Sequence, residues 1–131
     1  MQLQAITNCA VWLMAYLSCN NGLVPTRELV AELGFTKSNI ISAASTLKEN
    51  GYITSDNGPF GGYTIRKAPE SITIQEILML FDDNVHLIDA KTPHKFGRAP
   101  IESVKELMRQ AESSVEQIMG SRTLAELCKR K

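Results

Sequence analysis

No charge of one sign predominates in this chain of 131 residues: Lys and Arg number 14, and Asp and Glu number 14. The balance holds along its length, with five of each sign in residues 1–70 and nine of each in residues 71–131. This excludes a polycation that grips nucleic acid or a membrane by bulk charge, so any nucleic-acid contact must come from locally placed groups. Long apolar runs are missing too. None approaches the roughly 18–20 residues of a membrane helix, and residues 10–17 read as one buried helix face. The start, Met1-Gln2-Leu3-Gln4, lacks the basic segment and cleavage pattern of a secretory signal, so a cytoplasmic protein is expected. The three cysteines (Cys9, Cys19, Cys128) form no CxxC pair and no disulfide-framework spacing, and reduced thiols are expected. No nucleophile–base set, paired carboxylates or phosphate loop is present, so no enzyme is expected. Repeats and low-complexity tracts are absent. With 44% hydrophobic and 21% charged residues, the chain has the material for a globular core.

Breaker residues divide the chain. Residues 5–17 are apolar at helical spacing and end at Asn20-Asn21-Gly22. Pro25-Thr26 opens a short helix, with Thr26 as its cap, Leu29, Val30 and Leu33 as its apolar stripe and Gly34 as its end. Thr36 or Ser38 starts a third helix running to Asn50-Gly51, with Ile40, Ile41, Ala43, Ala44 and Leu47 as its apolar positions. The period then turns alternating: residues 52–55 and 63–66 predict two strands around the turn Asn57-Gly58-Pro59-Phe60-Gly61-Gly62. Thr73-Ile74-Gln75-Glu76 is a capping box opening a helix through Phe81. A polar loop with breakers at Pro93, Gly97 and Pro100 precedes a long periodic segment, residues 101–119, and Thr123-Leu124-Ala125-Glu126 forms a last capped turn. The expected fold is mainly α with a small β-hairpin: a winged helix-turn-helix domain over residues 1–82, a loop over 83–100, and a C-terminal dimerisation helix and turn over 101–131.

The second helix of a helix-turn-helix is the candidate reader. Its start offers Thr36, Lys37, Ser38 and Asn39, and Ser38, Asn39 and Ser42 would reach base edges in a major groove. The Gly-rich hairpin tip (Asn57, Gly58, Pro59, Gly61, Gly62) suits close approach to a phosphate or a minor groove. Arg27, Lys37, Lys48, Arg66 and Lys67 are phosphate candidates, opposed locally by Glu49 and Asp56, and so few charges predict a shallow salt slope.

Gly51-Tyr52-Ile53 followed by Gly58-Pro59-Phe60-Gly61-Gly62-Tyr63 resembles the "NGL…RGPGGGY" wing of a known family. This is the Rrf-two-type family of bacterial winged-helix transcriptional regulators, which includes IscR-, NsrR- and CymR-like proteins. Residues 33–47 resemble its helix-turn-helix, residues 69–74 its "P-x-x-I-T-L" segment and Thr123-Leu124-Ala125-Glu126-Leu127 its "TLAEL" ending. The resemblance implies a sequence-specific regulator, a repressor, bound to double-stranded DNA as a homodimer on a near-palindromic operator. Asn57 stands where relatives often carry Arg. Sensing members hold three close cysteines in the loop before the long helix. Here residues 84–97 have none, and His86 and His94 read as ordinary loop histidines. The resemblance is therefore to the cluster-free branch: no cofactor and no metal are expected, and a protein or small-molecule effector stays open.

The long segment places Ile101, Val104, Met108, Ala111, Val115 and Ile118 at steps of 3-4-3-4-3, a heptad seam suited to a partner helix. Cys9 reads as a small core hydrophobe. Cys19 lies near a helix end, and Cys128 is flanked by Lys129, Arg130 and Lys131, which favour thiolate. These two are the candidate redox residues, with functionless free thiols as the alternative. A winged-helix protein-interaction module that has lost DNA binding is the competing function.

Overall fold

The computed structural model describes residues 3–58, 61–83 and 98–129, except for the side chains of 98 and 99. The elements in order are α1 (Ala5–Ser18), β1 (Val24–Pro25), α2 (Thr26–Leu33), α3 (Lys37–Glu49), β2 (Ile53–Asp56), β3 (Gly62–Ile65), a 3₁₀ turn (Pro69–Ser71), α4 (Ile74–Leu80), α5 (Arg98–Met119) and α6 (Leu124–Cys128). Mostly helical with a small antiparallel sheet, this is the expected class.

Local chemistry sets the boundaries. The Thr36 hydroxyl accepts from Asn39 N at 3.1 Å and so caps α3. At the other end Gly51 takes φ +83°, and its N–H donates to Lys48 O while Tyr52 N donates to Leu47 O. That pair of bonds is a Schellman ending, which needs a residue content with positive φ. Capping boxes open both α4 (Thr73 with Glu76) and α6 (Thr123 with Glu126). Thr26 does not cap α2 as expected. Pro25 occupies the cap position, held extended by its pairing with Gly62, and Thr26 is the first helical residue. Helix α5 begins at Arg98, three residues earlier than the periodicity indicates. Pro100 falls in its first turn, where a missing N–H breaks no helical bond.

The sheet has three strands, not two, in the order β1-β3-β2. Strand β1 is a two-residue piece pairing Val24 with Tyr63 and Pro25 with Gly62, too short for any alternation to announce it. Tyr52 lies outside β2, and its carbonyl accepts the N–H groups of Arg66 and Lys67 at the foot of the hairpin. A Cβ on Gly62 would stand 2.2 Å from Val24 O, and one on Gly61 would stand 2.4 Å from Asp56 O. Close backbone packing within the wing therefore requires both glycines.

One core joins the elements. Cys9, Leu13, Met14, Leu17, Leu29, Ile40, Leu47, Ile53, Ile72, Ile77 and Leu124 are all at most 1% exposed. The list includes a residue of α6, which returns to the winged-helix domain after α5. Leu124 N donates to Ile72 O at 2.8 Å, and Thr73 and Thr123 form an antiparallel bridge. Helix α6 also packs against α1. That packing brings the last residue of α6 to the C-cap of α1, where Cys128 and Cys19 form a disulfide with Cα atoms 5.4 Å apart. The expectation of separate, reduced thiols at Cys19 and Cys128 is thereby overturned, and with it the free thiolate at Cys128. A spacing of 109 residues carries no pairing signal; only the return of α6 creates the pair. Cys9 is the core thiol expected, with burial pushing its pKa up to about 11.

Candidate nucleic-acid interface

Helix α3 packs its Ile40, Ala43, Ala44 and Leu47 side inward and presents Lys37, Ser38, Ile41, Ser42, Ser45 and Lys48 outward. The wing stands beside this exposed face. Between them runs a groove of about 460 Å³, lined on one side by Lys37, Ile41, Ser45 and Lys48 and on the other by Ser55, Asp56, Asn57, Gly58, Gly61 and Gly62. Thr26, Ala44 and Tyr63 complete its wall. The two lysines are its cations. Its one carboxylate, Asp56, spends an oxygen on the wing turn, accepting from Gly58 N at 3.0 Å.

Of the residues nominated from sequence, Lys37, Lys48, Asn57, Gly58, Gly61 and Gly62 come together in this groove. Ser38 and Ser42 lie exposed on the reader face outside it. Thr36 is exposed, but its hydroxyl is engaged as the α3 cap. Asn39 is half-buried, and its backbone N–H is the group that cap receives. Arg27 is exposed on α2 and does not line the groove, although its neighbour Thr26 does. Pro59, His86 and His94 fall outside the described residues. Lys67, a phosphate candidate from sequence, is turned elsewhere: its ammonium bonds Glu76 and sits 4.7 Å from the centre of the Tyr52 ring.

The sequence reading missed two residues of the reader face. Ser45 lies seven positions after Ser38, two helical turns on, and that period is a signal that could have found it. Ile41 fits the apolar period of the helix, yet it is 47% exposed and lines the groove. The helix is rotated so that Ile40 and Ala43, not Ile41, face the core.

On α5 the apolar seam divides. Ile101, Met108 and Val115 are half-buried, whereas Val104, Leu107, Ala111 and Ile118 form an exposed stripe with Leu107 and Ile118 at 68% and 69%. No helix among the described residues is long and apolar enough to cross a membrane.

A base of the wing is fixed by a polar cluster. Tyr52 Oη donates to Glu76 Oε2 at 2.6 Å, Lys67 Nζ donates to the same oxygen, and Thr73 N donates to Oε1. Burial opposes the ionised form of Glu76, but these hydrogen bonds and the Lys67 charge hold its pKa below the ordinary value.

Solved structures share this architecture. The global cysteine regulator CymR of B. subtilis superposes with a TM-score of 0.79 at 18% identity, covering 98% of this chain and 96% of that one. The oxidized form of Staphylococcus aureus CymR gives a TM-score of 0.79 at 20% identity, over 100% of this chain and 98% of that one. In sequence, the chain is 24% identical to the HTH-type transcriptional regulator NsrR of Bacillus licheniformis over 97% of its length and 92% of that protein's. It is 32% identical to the HTH-type transcriptional regulator IscR of Klebsiella pneumoniae, over 53% of this chain and 42% of that one. Residues 3–130 match the Rrf2 family, described as an iron-dependent transcriptional regulator, and the chain belongs to that family.

Proposed function

We propose that the chain is a sequence-specific DNA-binding regulator of transcription, a repressor that acts in the cytoplasm as a homodimer on a near-palindromic operator, without an iron–sulfur cluster. The observation that carries this reading is the groove itself. An exposed row of small hydroxyls on α3 faces outward beside a glycine wing, and the exposed Lys37 and Lys48 that line the groove support phosphate contacts there. Small hydroxyls bond base edges, lysines neutralise backbone, and the helix diameter matches the major groove.

The family's description names iron, and the donor set of this chain does not fit an iron–sulfur cluster. Such clusters are held mainly by thiolates. All three cysteines are committed elsewhere: Cys9 lies in the core, and Cys19 and Cys128 are joined to each other. Among the described residues no group of three His, Cys, Asp or Glu is placed to hold a metal ion. The Cys19–Cys128 bond supports a redox role for the pair, because disulfides in a reducing compartment are transient or sensing. The exposed Val104/Leu107/Ala111/Ile118 stripe supports assembly through α5.

The test is a protection assay on the DNA upstream of the chain's own gene, followed by a salt titration. The parent protects one site, and Lys37→Ala weakens all DNA alike and lowers the salt slope by about one. A parent that protects nothing, or a Lys37→Ala variant with an unchanged slope, favours a winged helix kept for protein contacts.

A further inference from the structure

The reader face of α3 is polar except at its centre. Lys37, Ser38, Ser42, Ser45 and Lys48 are all exposed, and Ile41 stands among them, 47% exposed. Ser38 is three residues before it, Ser45 four after, and Ser42 adjacent, so each lies within one helical turn. Isolated surface aliphatics are ordinary. This one differs by its setting: it lines the groove between α3 and the wing, flanked by Lys37 and Lys48. A β-branched side chain gains nothing for an exposed helix over Lys or Gln, and here it gives up the polar contact its neighbours can make.

What such a group can recognise follows from the chemistry of the major groove. The only apolar feature on its base edges is the C5-methyl of thymine. Serine hydroxyls donate or accept and so pair with several bases, which leaves them weakly discriminating. We propose that Ile41 is a specificity-determining residue that packs on the thymine C5-methyl in each operator half-site and supplies a thymine preference that the serines around it cannot. This rests on the DNA-binding reading above. The two lysines pin the helix by its flanking phosphates, and the aliphatic group then meets base edges at a fixed depth.

The experiment uses the full chain and an operator selected from a randomised duplex library. Each thymine of that operator is replaced in turn by uracil, which removes only the methyl group. The parent loses three- to tenfold in affinity at one thymine per half-site, the scale of one buried methyl. Ile41→Ala loses a similar factor on the thymine duplex and nothing further on the uracil duplex; Ile41→Ser behaves the same. Both variants are exposed-site changes, and their circular dichroism should match the parent's. A parent indifferent to every uracil, or an Ile41→Ala variant that keeps the full methyl dependence, overturns the assignment while leaving DNA binding intact. A chain that selects no sequence at all overturns the DNA-binding reading and this residue's role together.

Discussion

Glu76 receives three hydrogen bonds, from Tyr52, Lys67 and Thr73, and in doing so ties the foot of the wing to α4. Its pKa is held low, so its contribution is present above the ordinary carboxylate pKa and is lost as pH falls through the lowered native value. Glu76→Gln should cost about 1–3 kcal/mol near neutrality, because Tyr52 and Lys67 lose a charged acceptor. The variant's stability should also fall less on acidification than the parent's; urea melts at pH 7 and pH 4 check both. Gly62 is constrained differently. A Cβ there would stand 2.2 Å from the Val24 carbonyl oxygen, so Gly62→Ala must push β1 and β3 apart. Overpacking of this kind costs about 1–3 kcal/mol, and thermal melts should record a lower midpoint together with weaker DNA binding, since the wing itself moves.

Among the elements, those with chemical punctuation were legible in the sequence. Thr36, Gly51 and the Thr73/Glu76 and Thr123/Glu126 boxes mark helix ends through bonds made within four or five residues, so local sequence suffices to find them. Strand β1 was not legible, because its two residues are strand only by virtue of Gly62 and Tyr63 some forty positions on. Ile41 was misassigned for a related reason. It lies three residues before Ala44 and fits the helical period, and the packing of α1, α2 and β2 against α3 decides how far that helix is rotated. Helix α5 shows the same limit: its seam is visible as a period, but which half faces outward depends on neighbours. The exposed Val104/Leu107/Ala111/Ile118 half is where assembly is expected. Ala111→Glu places a carboxylate in that stripe, where burial without a partner is costly. Sedimentation should find a folded monomer that binds a half-site probe weakly and has lost the full-site advantage that linkage supplies; a dimer that binds as before places the contact elsewhere.

At the scale of the whole molecule, the Cys19–Cys128 bond closes a loop of 109 residues between the end of α1 and the end of α6. A cross-link of that span restricts the unfolded chain, and its reduction should lower stability by about 2–5 kcal/mol. Urea unfolding with and without dithiothreitol measures the difference, and Cys128→Ser should match the reduced parent and ignore the reductant. The bond reinforces an arrangement that the backbone already makes. Immediately after α5 the chain sets Leu124 into the head's core and bridges Thr123 to Thr73. At the level of the gene, a nonsense codon between α5 and Leu124 would spare every residue of the groove and the whole of the long helix. It would nevertheless remove a fully buried side chain and a backbone bridge from the head. Such alleles should behave as losses of the folded protein rather than as monomeric regulators.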